Sequence, residues 1–362
     1  MTNKVLILGG YGNFGKRIAV SLARKGTAVI IAGRSRQKAE TLAATLPGQP
    51  VEIAELDADL DLAEALSRLK PKVVINTCGP FQSRDYRIAE ACIALGIHYL
   101  DLADARDFVT GIVSLDAAAQ RASVAVISGA STVPCLSSAV VEHFLPQFSA
   151  LDSIIFGIAP GQKAERGLAT TEAILSYVGK RMRPCAGEPV RYGWQGLYRQ
   201  AFPLIGSRWM ANCDVPDLDL FPPRYGLKAI RFSAGLENPL IHLGLWCLSW
   251  LVRLGLPLNL PRHAGFLLKA AAWFDRFGTA DGGMFVTLNG VGHDGRLLKK
   301  SWFIIAKNGD GPHIPAVPAI LLAERLVQGT FGSSGASTCA GLVSLEDYLR
   351  ELSSLHVTTH TV

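Results

Sequence analysis

Three glycines with the spacing G-x-G-x-x-G, Gly10, Gly12 and Gly15, directly follow a short apolar run, Val5–Leu8. The run predicts a buried β-strand, and apolar residues at helical spacing predict a helix over Asn13–Arg24. Between a strand and a helix, such glycines permit a tight turn, close approach of a pyrophosphate, and close helix–strand packing. The phosphates would lie on free N–H groups at the positive end of the helix. We therefore expect a dinucleotide to contact Gly10, Tyr11, Gly12, Asn13, Phe14 and Gly15.

The end of the second predicted strand, Ala28–Ala32, indicates which dinucleotide is bound. NAD-binding domains usually place an acidic residue there, which holds the ribose 2′-hydroxyl. This sequence instead continues Gly33-Arg34-Ser35-Arg36-Gln37-Lys38, with three cations and no acid. Arg34 and Ser35 can form charge-assisted hydrogen bonds to a 2′-phosphate, although a merely solvated basic turn would look the same. We predict that Gly33, Arg34 and Ser35 select NADP, with NAD as the weaker ligand.

Two further strand ends should face the same crevice. Asp57 follows a third predicted strand and could either contact the adenine edge or cap the next helix. A fourth strand, Val73–Asn76, is followed by a Gly-Pro turn that we place near the nicotinamide ribose. Cys78 in this turn could be a nucleophile, but a small buried thiol is the better interpretation. The cofactor site is therefore extended by Asp57, Thr77, Cys78, Gly79 and Pro80.

The order of predicted elements divides the chain into two domains and a tail. Residues 1–145 alternate six short strands with helices, which predicts a doubly wound parallel sheet, the Rossmann fold. Residues 146–330 carry strand candidates separated by long insertions, which predicts an α+β domain on a mixed, mostly antiparallel sheet. We expect this second domain to bind substrate and to dimerise. Residues 331–362 form a C-terminal segment with a final helix that could pack back on the first domain.

Composition excludes several classes of protein. The 362 residues are 49% hydrophobic and 18% charged, which excludes a disordered chain. The net charge of +6 is spread without a Lys/Arg block, so we expect no nucleic-acid partner. The seven cysteines form no C-x-x-C pair, which indicates reduced thiols and neither a zinc site nor a disulfide framework. With no signal peptide recognisable, we expect a cytoplasmic protein.

One stretch, residues 240–260, is apolar enough to be considered as a membrane span. Arg253 and Pro257 interrupt it before it reaches the length of a membrane span, so we expect no transmembrane segment. The predicted helices around it, 238–254 and 263–277, could form core, a dimer face or a lipid-facing patch. Core or dimer contact is favoured, and with it a homodimer.

The motifs of this chain fit one family of dehydrogenases better than another. The glycines also fit the pattern of short-chain dehydrogenases, but no tyrosine here has a lysine four residues on, since Tyr177 is followed by Arg181. The chain instead resembles the saccharopine dehydrogenase-like oxidoreductases, over residues 1 to about 160. The segments that carry the resemblance are Leu8-Gly-Gly-Tyr-Gly-Asn-Phe-Gly15, Asn76-Thr-Cys-Gly-Pro-Phe81, His98-Tyr-Leu-Asp-Leu-Ala-Asp104 and Gly129-Ala-Ser-Thr-Val-Pro-Cys-Leu-Ser137.

The resemblance implies an NAD(P)-binding Rossmann domain, a smaller α/β catalytic domain, and a substrate bound between them. Members include amino-acid reductases, polyamine-forming enzymes and enoyl reductases acting on lipid chains, so the family does not identify the substrate. Members that act on amino acids hold carboxylates with basic residues. The arginines available here for such a clamp, each also explicable as an ordinary surface residue, are Arg166, Arg181, Arg208 and Arg224.

Acidic side chains provide the candidates for proton transfer. Tyr99, Asp101 and Asp104 lie at the end of the fifth predicted strand, where one could act as a catalytic acid, although a structural hydrogen-bonding role is the better interpretation. In the second domain, Asp214, Asp217 and Asp219 could bind a cation, but turns and caps account for them better, and we predict no metal site.

Together these features predict hydride transfer between NADP(H) and a C=N, C=O or C=C bond of a small-molecule substrate. Two alternatives remain. Because no unmistakable catalytic pair is present, the chain could be a non-catalytic NADP-binding sensor or scaffold. The apolar helices would instead suit a membrane-peripheral enoyl or lipid reductase.

Overall fold

The computed structural model describes residues 3–46, 51–60, 62–82, 84–187 and 189–362. The strands in chain order are β1 (Lys4–Leu8), β2 (Ala28–Gly33), β3 (Glu52–Glu55), β4 (Val73–Asn76), β5 (His98–Asp101), β6 (Ala125–Ser128), β7 (Phe148–Ala159), β8 (Tyr198–Phe202), β9 (Gly206–Asn212), β10 (Ala229–Leu236), β11 (Gly282–Gly292), β12 (Leu297–Ala306), β13 (Gly335–Thr338) and β14 (Val357–Thr361).

The α-helices are α1 (Asn13–Arg24), α2 (Arg36–Ala43), α3 (Leu62–Leu69), α4 (Arg87–Ala94), α5 (Arg106–Gly111), α6 (Asp116–Arg121), α7 (Ser137–Phe144), α8 (Leu168–Tyr177), α9 (Asp217–Tyr225), α10 (Pro239–Arg253), α11 (Ala264–Ala272), α12 (Val317–Gln328) and α13 (Leu345–Glu351). Among the residues that the structure describes, no helix is long and apolar enough to cross a membrane.

The chain forms two compact units, and each is built from two separate segments. The first unit comprises Met1–Leu136 and His313–Val343, and the second comprises Ser137–Pro312 and Ser344–Val362. These bounds differ from the expected 1–145, 146–330 and 331–362. The chain returns to the first unit because α12 packs on α1, β1, β4 and β5, and β13 pairs with β6. It then returns to the second unit, where α13 packs on α7 and β14 pairs with β12.

The first unit is a parallel sheet in the order β13-β6-β5-β4-β1-β2-β3, which confirms the predicted doubly wound fold. Strands covered by helices on both faces are typically apolar over most of their length, as the four buried residues of β1, Val5–Leu8, illustrate. The sheet has one strand more than predicted. The additional strand, β13, has the sequence Gly-Ala-Ser-Thr and lies in a segment whose sequence carries no strand pattern.

The second unit is a mixed sheet in the order β14-β12-β11-β7-β10-β9-β8. Only β7 and β10 pair in parallel, and the other pairings are antiparallel, so the predicted sheet type is confirmed. One face carries an apolar cluster that includes Met210, Phe285 and Ile305. Helices α10 and α11 belong to a second cluster, which contains Trp194, Leu260 and Ala264.

Candidate functional site

The glycine-rich loop joins β1 to α1 at the carboxyl edge of the first sheet. Gly9 adopts a φ of +72°, in the left-handed region that favours glycine. The Gly12 N–H donates to the Gly9 carbonyl over 2.8 Å, which closes the turn. The Gly10 N–H donates to the Ala32 carbonyl of β2 over 3.1 Å, so the loop is fixed to the neighbouring strand.

Gly15 determines how closely α1 approaches this loop. A Cβ atom at Gly15 would lie 2.3 Å from the Gly9 carbonyl oxygen, which leaves no room for a side chain. The helix follows Gly12, which offers no capping side chain, and its first turn carries no acidic residue. The first N–H groups of a helix lack partners within it and carry partial positive charge. This helix end therefore fits a phosphate group.

Tyr11 connects the glycine-rich loop to the turn after β2. Its hydroxyl accepts a hydrogen bond from the Ser35 N–H over 3.0 Å. A Cβ atom at Gly33 would lie only 2.6 Å from Cε1 of the tyrosine ring, so the ring covers Gly33 at contact distance. The predicted cofactor residues Tyr11, Gly33 and Ser35 are thus assembled into one structure by direct contacts.

The basic turn presents an arginine that is open to an anion. Arg34 is exposed, and none of the carboxylates in the described ranges pairs with it, whereas Arg36 pairs with Glu40 over 2.8 Å. Ser35 Oγ accepts from the Lys38 N–H over 3.4 Å and so caps α2. Its hydroxyl has a structural task in addition to the predicted contact with a phosphate.

The segment after β4 is tied to both neighbouring strands. Thr77 Oγ1 donates to the Leu8 carbonyl of β1 over 2.7 Å. Asn76 Nδ2 donates to the Tyr99 hydroxyl of β5 over 3.1 Å, and Asn76 Oδ1 accepts from the Cys78 N–H over 3.0 Å. A cis peptide bond links Gly79 to Pro80. These bonds place the predicted residues Thr77 and Cys78 beside the glycine-rich loop.

Cys78 does not have the properties of a nucleophile. Burial raises the pKa of its thiol to about 11, although the positive charges of Arg84 and Arg34 act in the opposite direction. A thiol in this state carries almost no thiolate near neutral pH, and the thiolate is the reactive form. The structure therefore favours the buried-thiol interpretation.

Tyr99 and Asp101 are built into the core rather than presented to a ligand. Both are fully buried. Asp101 Oδ1 accepts from the N–H groups of Ala103 and Gly129 and from the Ser128 hydroxyl, over 2.9 to 3.0 Å. Burial raises the pKa of Asp101 to about 6 even though these bonds favour the charged form. For this pair, the structure favours the structural hydrogen-bonding role over acid catalysis.

Asp104 and Asp57 occupy less buried positions. Asp104 accepts a long hydrogen bond of 3.4 Å from Gln82 Nε2, and burial raises the pKa of its carboxyl group. Asp104 is thus the acid candidate of this strand end that stays open to a proton-transfer role. Asp57 Oδ1 accepts from the Asp59 N–H over 2.9 Å, which stabilises the turn after β3. Because α3 begins only at Leu62, Asp57 does not occupy its N-cap position.

A pocket of about 400 Å³, open to solvent, lies within the first unit where β3 and β4 end. Its lining includes Ala58, Asp59, Cys78, Phe81, Arg84 and Ile88. Asp59 and Arg84 form an ion pair of 2.9 Å between the two loops that flank the pocket. We did not predict either residue as part of the site. The sequence did contain a signal for this ion pair. Asp59 follows the third strand and Arg84 the fourth, and the carboxyl ends of parallel strands lie at the same edge of a sheet.

Most candidate residues of the second unit are bound to other side chains of that unit. Three of the four arginines considered as a carboxylate clamp form ion pairs: Arg166 with Asp275, Arg208 with Glu237 and Arg224 with Glu142. Asp217 is fully buried and bonded to the Ser137 hydroxyl, and Asp219 pairs with Arg183. No group of three or more side chains suited to a metal ion occurs in the part of the chain that the structure describes.

Comparison with known proteins agrees with the geometry of the first unit. Residues 5–127 match a family described as the saccharopine dehydrogenase NADP binding domain, which confirms the resemblance seen in the motifs. No curated protein sequence matches the chain.

Solved structures extend the likeness over the whole chain. Apo saccharopine dehydrogenase (L-Glu forming) from Saccharomyces cerevisiae is 12% identical, with a TM-score of 0.68 and 99% of both chains covered. An amine dehydrogenase from Mycobacterium smegmatis is 11% identical, with a TM-score of 0.46 and coverage of 93% of this chain and 94% of that chain. At this level of identity, the likeness to the yeast protein establishes a common fold.

Proposed function

We propose that this chain, whose residues 5–127 form a saccharopine dehydrogenase NADP binding domain, is an oxidoreductase that transfers hydride between NADP(H) and a small molecule. The observation that carries the proposal is the Tyr11–Ser35 contact, which holds the turn of the exposed Arg34 next to the glycine-rich loop, where no carboxylate of the described residues pairs with this arginine. A pyrophosphate and a 2′-phosphate would each meet donors there.

The residues of the chain bind and orient the cofactor in this proposal. The uncapped end of α1 receives the pyrophosphate, and Arg34 receives the 2′-phosphate. The adenine end is assigned to the pocket beside Ala58 and Cys78, whose walls combine apolar side chains with the Asp59–Arg84 ion pair. Thr77 and Asn76 hold the loop after β4 in place through bonds to β1 and β5. The bound nicotinamide itself supplies or accepts the hydride.

The proposal is tested by titrating the protein with NADPH and with NADH while following nicotinamide fluorescence. We expect tighter binding of NADPH. The variant Arg34→Asp loses a charge-assisted contact and gains a repulsive charge, so its affinity for NADPH should fall by about tenfold to a hundredfold, with a much smaller change for NADH.

The matched control is Arg121→Asp, the same charge change at an exposed position on α6. It should bind both nucleotides like the parent protein. Equal affinities for NADPH and NADH in the parent protein, or an unchanged ratio in Arg34→Asp, would contradict the proposed preference for NADP.

Turnover separates the enzyme from the sensor alternative. We propose screening NADPH oxidation against imines, ketones and enoyl thioesters, which represent the C=N, C=O and C=C classes. Oxidation with one class would identify the bond that is reduced. Tight binding without turnover on any class would favour the sensor. A homodimer and a cytoplasmic location stay predictions, to be checked by light scattering and by cell fractionation.

A further inference from the structure

Helices α10 and α11 turn apolar faces towards solvent. The exposed positions of α10 include Leu240, Gly244, Cys247 and Leu251, at the spacing i, i+4, i+7 and i+11. The same spacing recurs in Phe266, Ala270, Trp273 and Phe277, which begin in α11 and continue past its end. This spacing defines one face of a helix. Core packing, one of the two contacts that the sequence favoured for these helices beside a dimer face, therefore does not explain the two stripes.

The opposite face of α10 does contact the rest of the second unit. Leu245, Leu248 and Val252 pack on the cluster that contains Trp194 and Ala211. The fully buried residues of α10 are the polar His242 and Ser249. Helix α10 thus packs on this cluster through partly buried leucine and valine side chains and leaves other large apolar side chains exposed to solvent.

The loop between the two helices adds to this surface. Residues 253–259 are all exposed, and three of them are leucines in the sequence Leu-Gly-Leu-Pro-Leu. We define the α10–α11 patch by its large exposed side chains, with their exposed fractions: Leu240 (69%), Leu251 (40%), Leu254 (73%), Leu256 (45%), Leu258 (39%), Phe266 (71%), Trp273 (83%) and Phe277 (68%). Large apolar side chains exposed in such number, along two helices and the loop that joins them, mark a binding face.

The charges around the patch indicate what it binds. Residues 238–274 contain no aspartate or glutamate. The cations there and just beyond are Arg253, Arg262, Lys269 and Arg276, and no carboxylate in the described ranges pairs with them. Arg253 bonds instead to Gln195 and lies over the Tyr192 ring. The two acids that flank this stretch, Glu237 and Asp275, are bound to Arg208 and Arg166 respectively.

We propose that the α10–α11 patch docks the protein on an anionic lipid bilayer. Leucine and aromatic side chains flanked by lysine and arginine, without acids, are the features of helices that lie in the membrane interface. Exposed tryptophan suits the headgroup level, and each cation near an anionic surface adds to the affinity. A second copy fits less well, because a symmetric contact through this patch would bring its cations together with no carboxylate to pair them.

The test is co-sedimentation of the full chain with vesicles of phosphatidylcholine alone and of equal parts phosphatidylcholine and phosphatidylglycerol. We expect binding to the anionic vesicles, and its loss when salt is raised from about 0.1 M to about 1 M. The basic variant Arg262→Gln/Lys269→Gln/Arg276→Gln and the apolar variant Phe266→Ser/Trp273→Ser/Phe277→Ser should each lose at least about tenfold in affinity.

Matched controls remove equivalent side chains elsewhere. The basic control is Arg121→Gln/Arg296→Gln/Lys299→Gln, and the apolar control is Val113→Ser/Leu204→Ser/Leu297→Ser, all at exposed positions. Both should bind vesicles like the parent protein. NADPH affinity, measured in parallel, should not change in any of the variants. Vesicle binding does not depend on that affinity, so this inference and the proposed function fail independently.

Three results would overturn the proposal. The first is no binding of the parent protein to anionic vesicles, and the second is unchanged binding by both patch variants. The third is a parent dimer that the apolar variant converts to a monomer, with no vesicle binding by either protein. That last result would assign the patch to a second copy of the chain.

Discussion

Tyr11 lies between Gly10 and Gly12 of the glycine-rich loop, yet its side chain contacts the turn after β2. Its hydroxyl accepts from the Ser35 N–H, and its ring covers Gly33. One side chain thus couples the loop for the pyrophosphate to the turn for the 2′-phosphate. Tyr11 therefore positions the turn after β2.

The variant Tyr11→Phe tests this coupling, because it keeps the ring and removes only the acceptor of the Ser35 N–H. One hydrogen bond contributes about 1 kcal/mol, so the dissociation constant for NADPH should rise by about threefold to tenfold. NADH, which has no 2′-phosphate, should be affected less. The fluorescence titration measures both. Equal weakening of the two nucleotides would mean that Tyr11 acts on the loop alone.

Asp217 is the residue whose titration should be seen in stability. Burial raises the pKa of its carboxyl group from an ordinary 3.8 to about 7, against the opposing hydrogen bond from Ser137. The folded protein therefore holds this proton between those two values while the unfolded chain releases it. The contribution is fully present below pH 3.8 and is lost as the pH rises towards 7, at up to about 1.4 kcal/mol per pH unit.

The variant Asp217→Asn should remove this dependence, since an amide does not ionise. The free energy of unfolding of the parent protein should fall, relative to the variant, as the pH is raised from about 5 to about 7. All six tryptophans lie between residues 194 and 302, so tryptophan fluorescence reports on the second unit, which contains Asp217. The exposed Asp294→Asn serves as the control. Parallel pH profiles for parent and Asp217→Asn would show that the buried carboxyl group does not titrate in this range.

Tyr11 and Asp217 also show which features of the chain could be predicted from the sequence and which could not. The cofactor loop was predicted because its glycines, strand and helix occupy one short segment with a local pattern. The bond between Ser137 and Asp217 joins side chains 80 positions apart, and no local pattern encodes it. The same holds for Asp101, whose burial depends on Ser128 and Gly129 from the next strand.

At the scale of elements, the strands with apolar runs were predicted, and the polar strands at the edges of the second sheet were not. β1, β2 and β4 are buried along nearly their whole length, and their composition makes that evident. β8 and β14 lie at the two edges of the second sheet and carry polar residues at most positions. An edge strand has one sheet neighbour and more exposure, so its sequence need not be apolar.

The packing of α1 on the glycine-rich loop leads to a prediction for that helix. In Gly15→Ala, the new Cβ would meet the Gly9 carbonyl oxygen at 2.3 Å, so the helix or the loop must move. We expect a loss of about 1–3 kcal/mol in the unfolding free energy of the first unit and weaker NADPH binding. Far-UV circular dichroism should detect the earlier unfolding, while tryptophan fluorescence of the second unit should not.

In contrast to Gly15→Ala, the variant Gly244→Ala should stabilise the helix that contains it. Gly244 lies in α10, and a Cβ atom there would meet nothing within 4 Å. Alanine is the better helix former, so stability should rise by up to about 1 kcal/mol with NADPH binding unchanged. A loss of stability in this variant, or none in Gly15→Ala, would contradict the assigned packing.

At the scale of the whole molecule, each unit is interrupted by the other in sequence. The first unit needs α12, whose buried residues include Val317, Ile320 and Leu322, and β13, which pairs with β6. The sequence predicted two domains and a C-terminal segment, 331–362, that could pack back on the first, but it did not place the return at residues 313–343. A return of the chain to an earlier unit depends on tertiary packing and has no marker in local composition.

This arrangement predicts how fragments behave. Residues 1–136 alone should not fold stably, because β6 would become an open edge and the surface under α12 would be exposed. The same fragment joined to residues 313–343 by a Gly/Ser linker should fold and bind NADPH. Circular dichroism and the NADPH titration test both fragments. Stable, NADPH-binding 1–136 would show that the returning segment is dispensable.

The late return of the chain also has a consequence for biosynthesis. The ribosome must translate residues 137–312 after the strands β1–β6 have emerged and before α12 and β13 exist. At about 5–20 residues per second, this interval lasts roughly 10–35 seconds. During it, the nascent nucleotide-binding sheet carries an unpaired edge at β6, the kind of edge that promotes aggregation. Completion of the first unit is therefore coupled to the end of translation, and newly made chains are most in need of chaperones before that point.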